Sequence, residues 1–133
     1  MLTINEYRKV ESLEEAYELN QKKNNKIIAG GVWMKIGDRR IATAIDLSGL
    51  GLDQITETDT EFVIGAMTTL REIEKHAGLA AYTDGAIRES VRHIVGVQFR
   101  NCATVGGSIY GRFGFSDVLT LLAALDCYVE LYK

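Results

Sequence analysis

The chain contains no proline. Its reversals therefore cannot use a ring-locked φ, and glycine and Asx side chains must do the punctuation. Cysteine is nearly absent: Cys102 and Cys127 form neither a disulfide framework nor a metal-ligand spacing, and both are expected to be small buried hydrophobes. No apolar run approaches the roughly 20 residues of a membrane span, and the N-terminal MLTINEYRKV lacks a signal core. The expected location is the cytoplasm. The formal net charge of −3 comes with no cluster of Lys and Arg, which argues against nucleic acid as a partner. His76 and His93 fall on expected helices with no serine or carboxylate partner in view. No nucleophile–base pair and no paired carboxylates stand out, so no catalytic residue and no metal site is assigned.

What the sequence does have is glycine in pairs. Lys26 to Lys35 reads KIIAGGVWMK, a short apolar run followed by Gly30-Gly31. Gln98 to Asp117 reads QFRNCATVGGSIYGRFGFSD, in which Gly106-Gly107 follows Thr104 and precedes Ser108. Glycine pairs remove side chains where something must come close and permit φ > 0. Backbone N–H groups freed in such turns form anion-binding concavities, with the Thr104 and Ser108 hydroxyls as additional donors. The natural guest is a phosphate or pyrophosphate. The alternative for one pair alone is a glycine-rich hairpin with a Ser or Asp helix cap. Two pairs in one small domain suggest two walls of one cleft.

The remaining pattern is that of an ordered α+β chain. At 133 residues, with 47% apolar and 25% charged residues, the length fits one domain or two small lobes sharing a core. Leu2 to Val10 reads as a first strand with Tyr7 and Val10 inward. Ser12 to Glu15 fits a capping box that opens a helix to about Lys23, and Asn24-Asn25 ends it. Lys26 to Ala29 is a brief strand. Strand, helix, strand implies parallel pairing and a right-handed crossover. Ala44 to Leu47 is another strand, and Ser48 to Gly51 is the candidate lobe boundary. Gln54 to Glu57 and Glu61 to Ala66 read as a strand pair. Thr69 to Glu72 is a second capping box, with a helix to about His76. Asp84 is expected to cap a third helix whose stripe is Ile87, Val91, Ile94 and Val95, closed by Gly96 at C′. A last helix runs from Asp117 to about Leu125, and Cys127 to Tyr132 alternates as a strand.

IIAGG, IDLSGL, IGAMTTLREIE, QFRNCATVGGS and SD occur in the order and at the spacing of one family. From about Lys26 to Leu131 the chain resembles the FAD-binding domain of molybdopterin dehydrogenases, the flavoprotein subunit of xanthine dehydrogenase, carbon monoxide dehydrogenase and relatives. The RN-x-ATVGGS string is its specific part. The resemblance implies a two-lobed α+β fold of the PCMH type. Residues 1–51 would form a small β-α-β lobe, and residues 52–133 the start of a larger mixed, antiparallel lobe that is incomplete here. It assigns the FAD pyrophosphate to Ile28, Ala29, Gly30, Gly31, Val32, Trp33 and Met34. Thr104, Val105, Gly106, Gly107 and Ser108 would close the other side, and Asp117 would sit near the ribityl and flavin end. By residue type alone Asp117 reads first as a helix N-cap, a role it could combine with the other; Trp33 reads as core before a stacking ring, and Arg100 as a structural cation before a phosphate partner. Ile94 matches a family position near the cofactor, but its stripe reads as core.

The resemblance also implies partners: a molybdenum-cofactor large subunit, a [2Fe-2S] small subunit that feeds electrons to FAD, and NAD or another acceptor that removes them. Two departures stand out. Family chains continue well past VELYK, so an unpaired strand edge and a homodimer through it are expected. GRFGF stands where the family commonly places a proline before Ser-Asp. The rival expectations are a truncated, non-catalytic assembly fragment that no longer holds FAD, and another flavin enzyme with a related cradle, such as an alcohol oxidase.

Overall fold

The computed structural model describes residues 1–133. β1 (Thr3–Lys9) leads into α1 (Leu13–Asn20). Ser12 opens the helix by accepting a hydrogen bond from the Glu15 N–H at 3.1 Å. The other half of the expected capping box is redirected. Glu15 accepts instead from the Glu11 N–H at 2.9 Å and from Arg8 Nε at 2.7 Å. Val10 is buried as expected, whereas Tyr7 is exposed and its hydroxyl donates to Asp46.

β2 (Lys26–Ile28) and β1 both run parallel to β3 (Arg40–Asp46), in the order β1-β3-β2. The parallel pairing expected between β1 and β2 is thus mediated by β3. The physical reason lies in IATAI, an uncharged run that suits a strand covered on both faces: Ile41, Ala44 and Ile45 are each at most 1% exposed. Val10, Ala16, Ile45 and Leu47 form the first core, with Leu19, Leu50, Leu52 and Met67 packed against it.

β4 (Ile55–Glu57) and β5 (Phe62–Ile64) form the expected antiparallel pair. The pairing continues as Gly65 N–H to Gln54 O and Met67 N–H to Leu52 O. α2 (Leu70–Lys75) is opened by a complete Thr69/Glu72 capping box. α3 (Ala77–Tyr82) was not expected; His76 Nδ1 caps it by accepting from the Leu79 N–H at 3.1 Å. α4 (Ala86–Arg92) is capped by Gly85 rather than Asp84, and both residues have positive φ. Its stripe stops at Val91. Val95 is 78% exposed and left-handed, so it leaves the helix face. Gly96 does not close α4; it is the extended N-cap of α5 (Val97–Arg100).

α6 (Val105–Gly111) and α7 (Asp117–Ala124) complete the second core of Leu70, Ile73, Leu79, Ile87, Val91, Ala103, Val105 and Val118. The strand expected at Cys127 to Tyr132 does not form. That segment is irregular and returns to α1, where the Tyr132 hydroxyl donates to Glu14 and its ring meets Tyr17. Both cysteines are exposed, not buried, since each stands beside a helix end rather than within a packed face. The architecture is the expected mixed one, a small parallel sheet followed by an antiparallel pair and a helical layer. No helix is long and apolar enough to cross a membrane.

Candidate cofactor site

The chain leaves the sheet at Ile28 and meets no regular structure until a 3-10 turn at Met34–Ile36. Between them the N–H groups of Ala29, Gly30, Gly31, Val32 and Trp33 donate to no acceptor in the protein. These residues are exposed or half-buried, so the five successive donors face solvent and are open to an external acceptor, the arrangement from which anion-binding nests are built. Gly31 has φ +65 with open space beside it, the left-handed turn that glycine tolerates. Gly30 is needed for close approach. A side-chain carbon there would lie 1.8 Å from the Cys102 carbonyl oxygen. The first glycine loop therefore packs backbone to backbone on the segment that enters the second, and Val32 packs on the second core.

The second glycine pair is built differently from its expected form. Thr104 is a helix N-cap and residues 105–111 are α6. The N–H groups of Val105, Gly106, Gly107 and Ser108 are already used, by Thr68 O, Ala66 O, Thr104 Oγ1 and Thr104 O at 2.9–3.1 Å. Neither glycine has positive φ. Gly106 is required because any Cβ would stand 2.6 Å from the Ala66 carbonyl. The expected free backbone donors are thus absent here, and the Ser108 hydroxyl donates to the Thr104 carbonyl at 3.0 Å. The two walls are unequal: the first carries the free donors, and the second is a rigid, capped helix start against it.

Asp117 had two expected roles, cap or ligand. Ser116 takes the cap, accepting from the Leu119 N–H at 3.2 Å. The Asp117 carboxylate is left exposed in the first turn of α7 with no partner in the protein. Arg100 is committed elsewhere. It is 5% exposed, its Nε lies 2.9 Å from Glu74 Oε2, and its Nη1 donates to the Ile94 carbonyl at 3.2 Å. Burial alone would push the Glu74 carboxyl up, but the Arg100 and Arg71 hydrogen bonds outweigh it and hold the group below its ordinary value. Ile94 is half-buried against the second core.

A run of free N–H donors around a glycine pair has the chemistry to accept a diphosphate. The family model described as the FAD binding domain in molybdopterin dehydrogenase matches residues 3–133. The chain belongs to this family. FAD is accordingly the cofactor of the fold. The Escherichia coli K12 protein YgfM is 30% identical over 131 residues, covering 92% of this FAD-binding chain and 48% of YgfM. The carbon monoxide dehydrogenase of Hydrogenophaga pseudoflava lacking the Mo-pyranopterin moiety superposes with a TM-score of 0.70 at 30% identity, over 78% of this chain and 38% of that one. The cyanide-inactivated Cu,Mo carbon monoxide dehydrogenase gives 0.81 at 27% identity, over 92% and 45%. The chain spans about half the length of the curated relatives it matches.

Two features of this FAD-binding domain were not read from its sequence. Phe113 and Phe115 fold back onto Trp33, with ring centroids at 5.4 and 5.9 Å. The Phe-Gly-Phe triplet that follows Gly111 in GRFGF is the signal that could have pointed there. The second is an open polar depression of about 540 Å³ lined by Asp53, Thr69, Arg71, Glu72, Lys75 and His76 among others. None of the expected cofactor residues lines it, and its charges are of both signs.

Proposed function

We propose that the chain is the FAD-holding part of the electron-transfer flavoprotein subunit of a molybdenum hydroxylase. The observation that carries this reading is the run of five unshared N–H groups from Ala29 to Trp33, packed through Gly30 onto the Cys102 carbonyl. In this reading Ile28 to Met34 wrap the pyrophosphate, and the N–H groups supply the hydrogen bonds that water would otherwise give its oxygens. Thr104 to Ser108 form the opposing wall. The Asp117 carboxylate accepts from sugar or ribityl hydroxyls, a role its lack of an internal partner leaves open. Bound FAD supplies two-electron redox chemistry that no side chain of the protein can. The chain's own contribution is to bind, orient and exclude water. A [2Fe-2S] subunit on the donor side, a molybdenum subunit beyond it and NAD or another acceptor complete the proposed route, in the cytoplasm.

The same reading divides the chain between Gly51 and Leu52, with the diphosphate loop in the first lobe and its opposing wall in the second. Leu52 and Met67 reach back to the first core and tie the lobes together. A second reading, an interaction fragment that has lost the cofactor, is favoured by exposed Tyr128, Val129 and Leu131. Mixing the protein with FAD separates the two. The expected result is a flavin absorbance band that co-elutes with protein, and an Asp117→Asn variant that binds several-fold less tightly. Protein that elutes free of flavin after incubation with excess FAD, as a constitutive dimer, would establish the second reading instead.

A further inference from the structure

The diphosphate loop has little to hold it in place. Its only internal backbone bonds near the glycines are Lys35 N–H to Gly31 O and Ile36 N–H to Trp33 O. Its donors point at nothing in the protein, so its shape must be imposed from outside. Gly30 against Cys102 and Val32 against the second core fix its first half. Its second half is fixed by rings. Phe113 and Phe115 stack on each other at 5.2 Å and 17°, and both meet Trp33. The backbone is shaped for this fold-back. Arg112 ends α6 in left-handed backbone (φ 48). Gly111 leaves room for the ring where it lies: a Cβ there would stand 2.8 Å from Phe113 and turn it aside.

We infer that GRFGF is an aromatic clamp on the diphosphate loop. Phe113 and Phe115 are positioning residues that act through Trp33: they hold the loop in the shape that aligns its five N–H groups before any cofactor arrives. In a chain without proline, ring stacking supplies the rigidity at this turn. Packed aromatic pairs are strong enough to do so and specific in geometry, and preorganising a loop raises affinity without adding a contact to the ligand. The inference rests on the FAD-binding reading for its affinity arm alone.

Trp33 is the sole tryptophan, so its emission reports the clamp directly. The test compares the full chain with Phe113→Leu/Phe115→Leu in three measurements: acrylamide quenching of Trp33, amide hydrogen exchange of residues 29–34, and ADP and FAD titrations. The clamp predicts more quenching, faster exchange confined to that loop, an unchanged melting temperature, and ADP and FAD affinities lowered together by about three- to tenfold. Tyr at both positions should restore all three. Unchanged exchange and affinity in the folded variant would overturn the clamp. A loss for FAD with ADP unaffected would overturn it too, because the rings would then be touching the flavin itself. If the unmodified protein binds neither nucleotide, the FAD-binding reading fails, while quenching and exchange still decide the clamp.

Discussion

Gly30 and Gly31 are neighbours with different jobs. At Gly31 the demand is conformational, and Ala there costs about 1–2 kcal/mol for a left-handed backbone. At Gly30 the demand is spatial, and no rotamer escapes a carbonyl oxygen 1.8 Å away. Gly30→Ala is therefore expected to part the two walls and weaken FAD by more than about tenfold, whereas Gly31→Ala should lose stability first; flavin fluorescence titration and urea unfolding distinguish them. Glu74 sets an acid limit. Its carboxyl is held down in the folded state because the bonds from Arg100 and Arg71 outweigh burial. Such a group contributes stability that is present above its unfolded value and is lost as pH falls through its folded one. Stability should thus decline on acidification below the ordinary carboxylate range. Glu74→Gln should flatten that decline while lowering stability at neutral pH, as read by urea midpoints across pH.

Among the elements, caps mark what could be read in advance. Thr69 and Glu72 announce α2 by spacing alone, and both reciprocal bonds form. Thr69→Ala is expected to cost about 1 kcal/mol, measured by thermal or urea unfolding. Where the cap is unconventional, reading fails. α3 begins on a histidine imidazole, and α4 on a left-handed glycine after a left-handed aspartate. α5 was hidden because Val95 leaves the apolar stripe through a positive φ that a β-branched residue rarely adopts. β2 to β5 were legible from their apolar runs, but the alternation of Cys127 to Tyr132 did not make a strand, and the insertion of β3 between β1 and β2 was not legible because it depends on tertiary burial rather than local pattern. The two glycine pairs were legible as a pair. That only the first keeps free donors was not, because Thr104 serves equally as a helix cap or as a ligand until the neighbouring Thr68 and Ala66 carbonyls are placed.

At the scale of the whole molecule, the two halves exchange side chains: Leu52 and Met67 pack on the first core and Val32 packs on the second, and in the proposed reading the cofactor lies across the same seam. A ligand that binds only the assembled form should add stability by mass action, about 2.7 kcal/mol at a hundredfold excess over its dissociation constant. Calorimetry with and without FAD checks this, and a Thr69→Ala protein should be rescued by the same increment. The contact of Gly30 with Cys102 carries a consequence for biogenesis. The donors of the first loop are laid down early in synthesis, but the surface that shapes them is translated much later. In the proposed reading, a nascent chain that has emerged only through β5 lacks the wall at Cys102 that shapes the loop, and flavin capture is expected only after that later segment has folded.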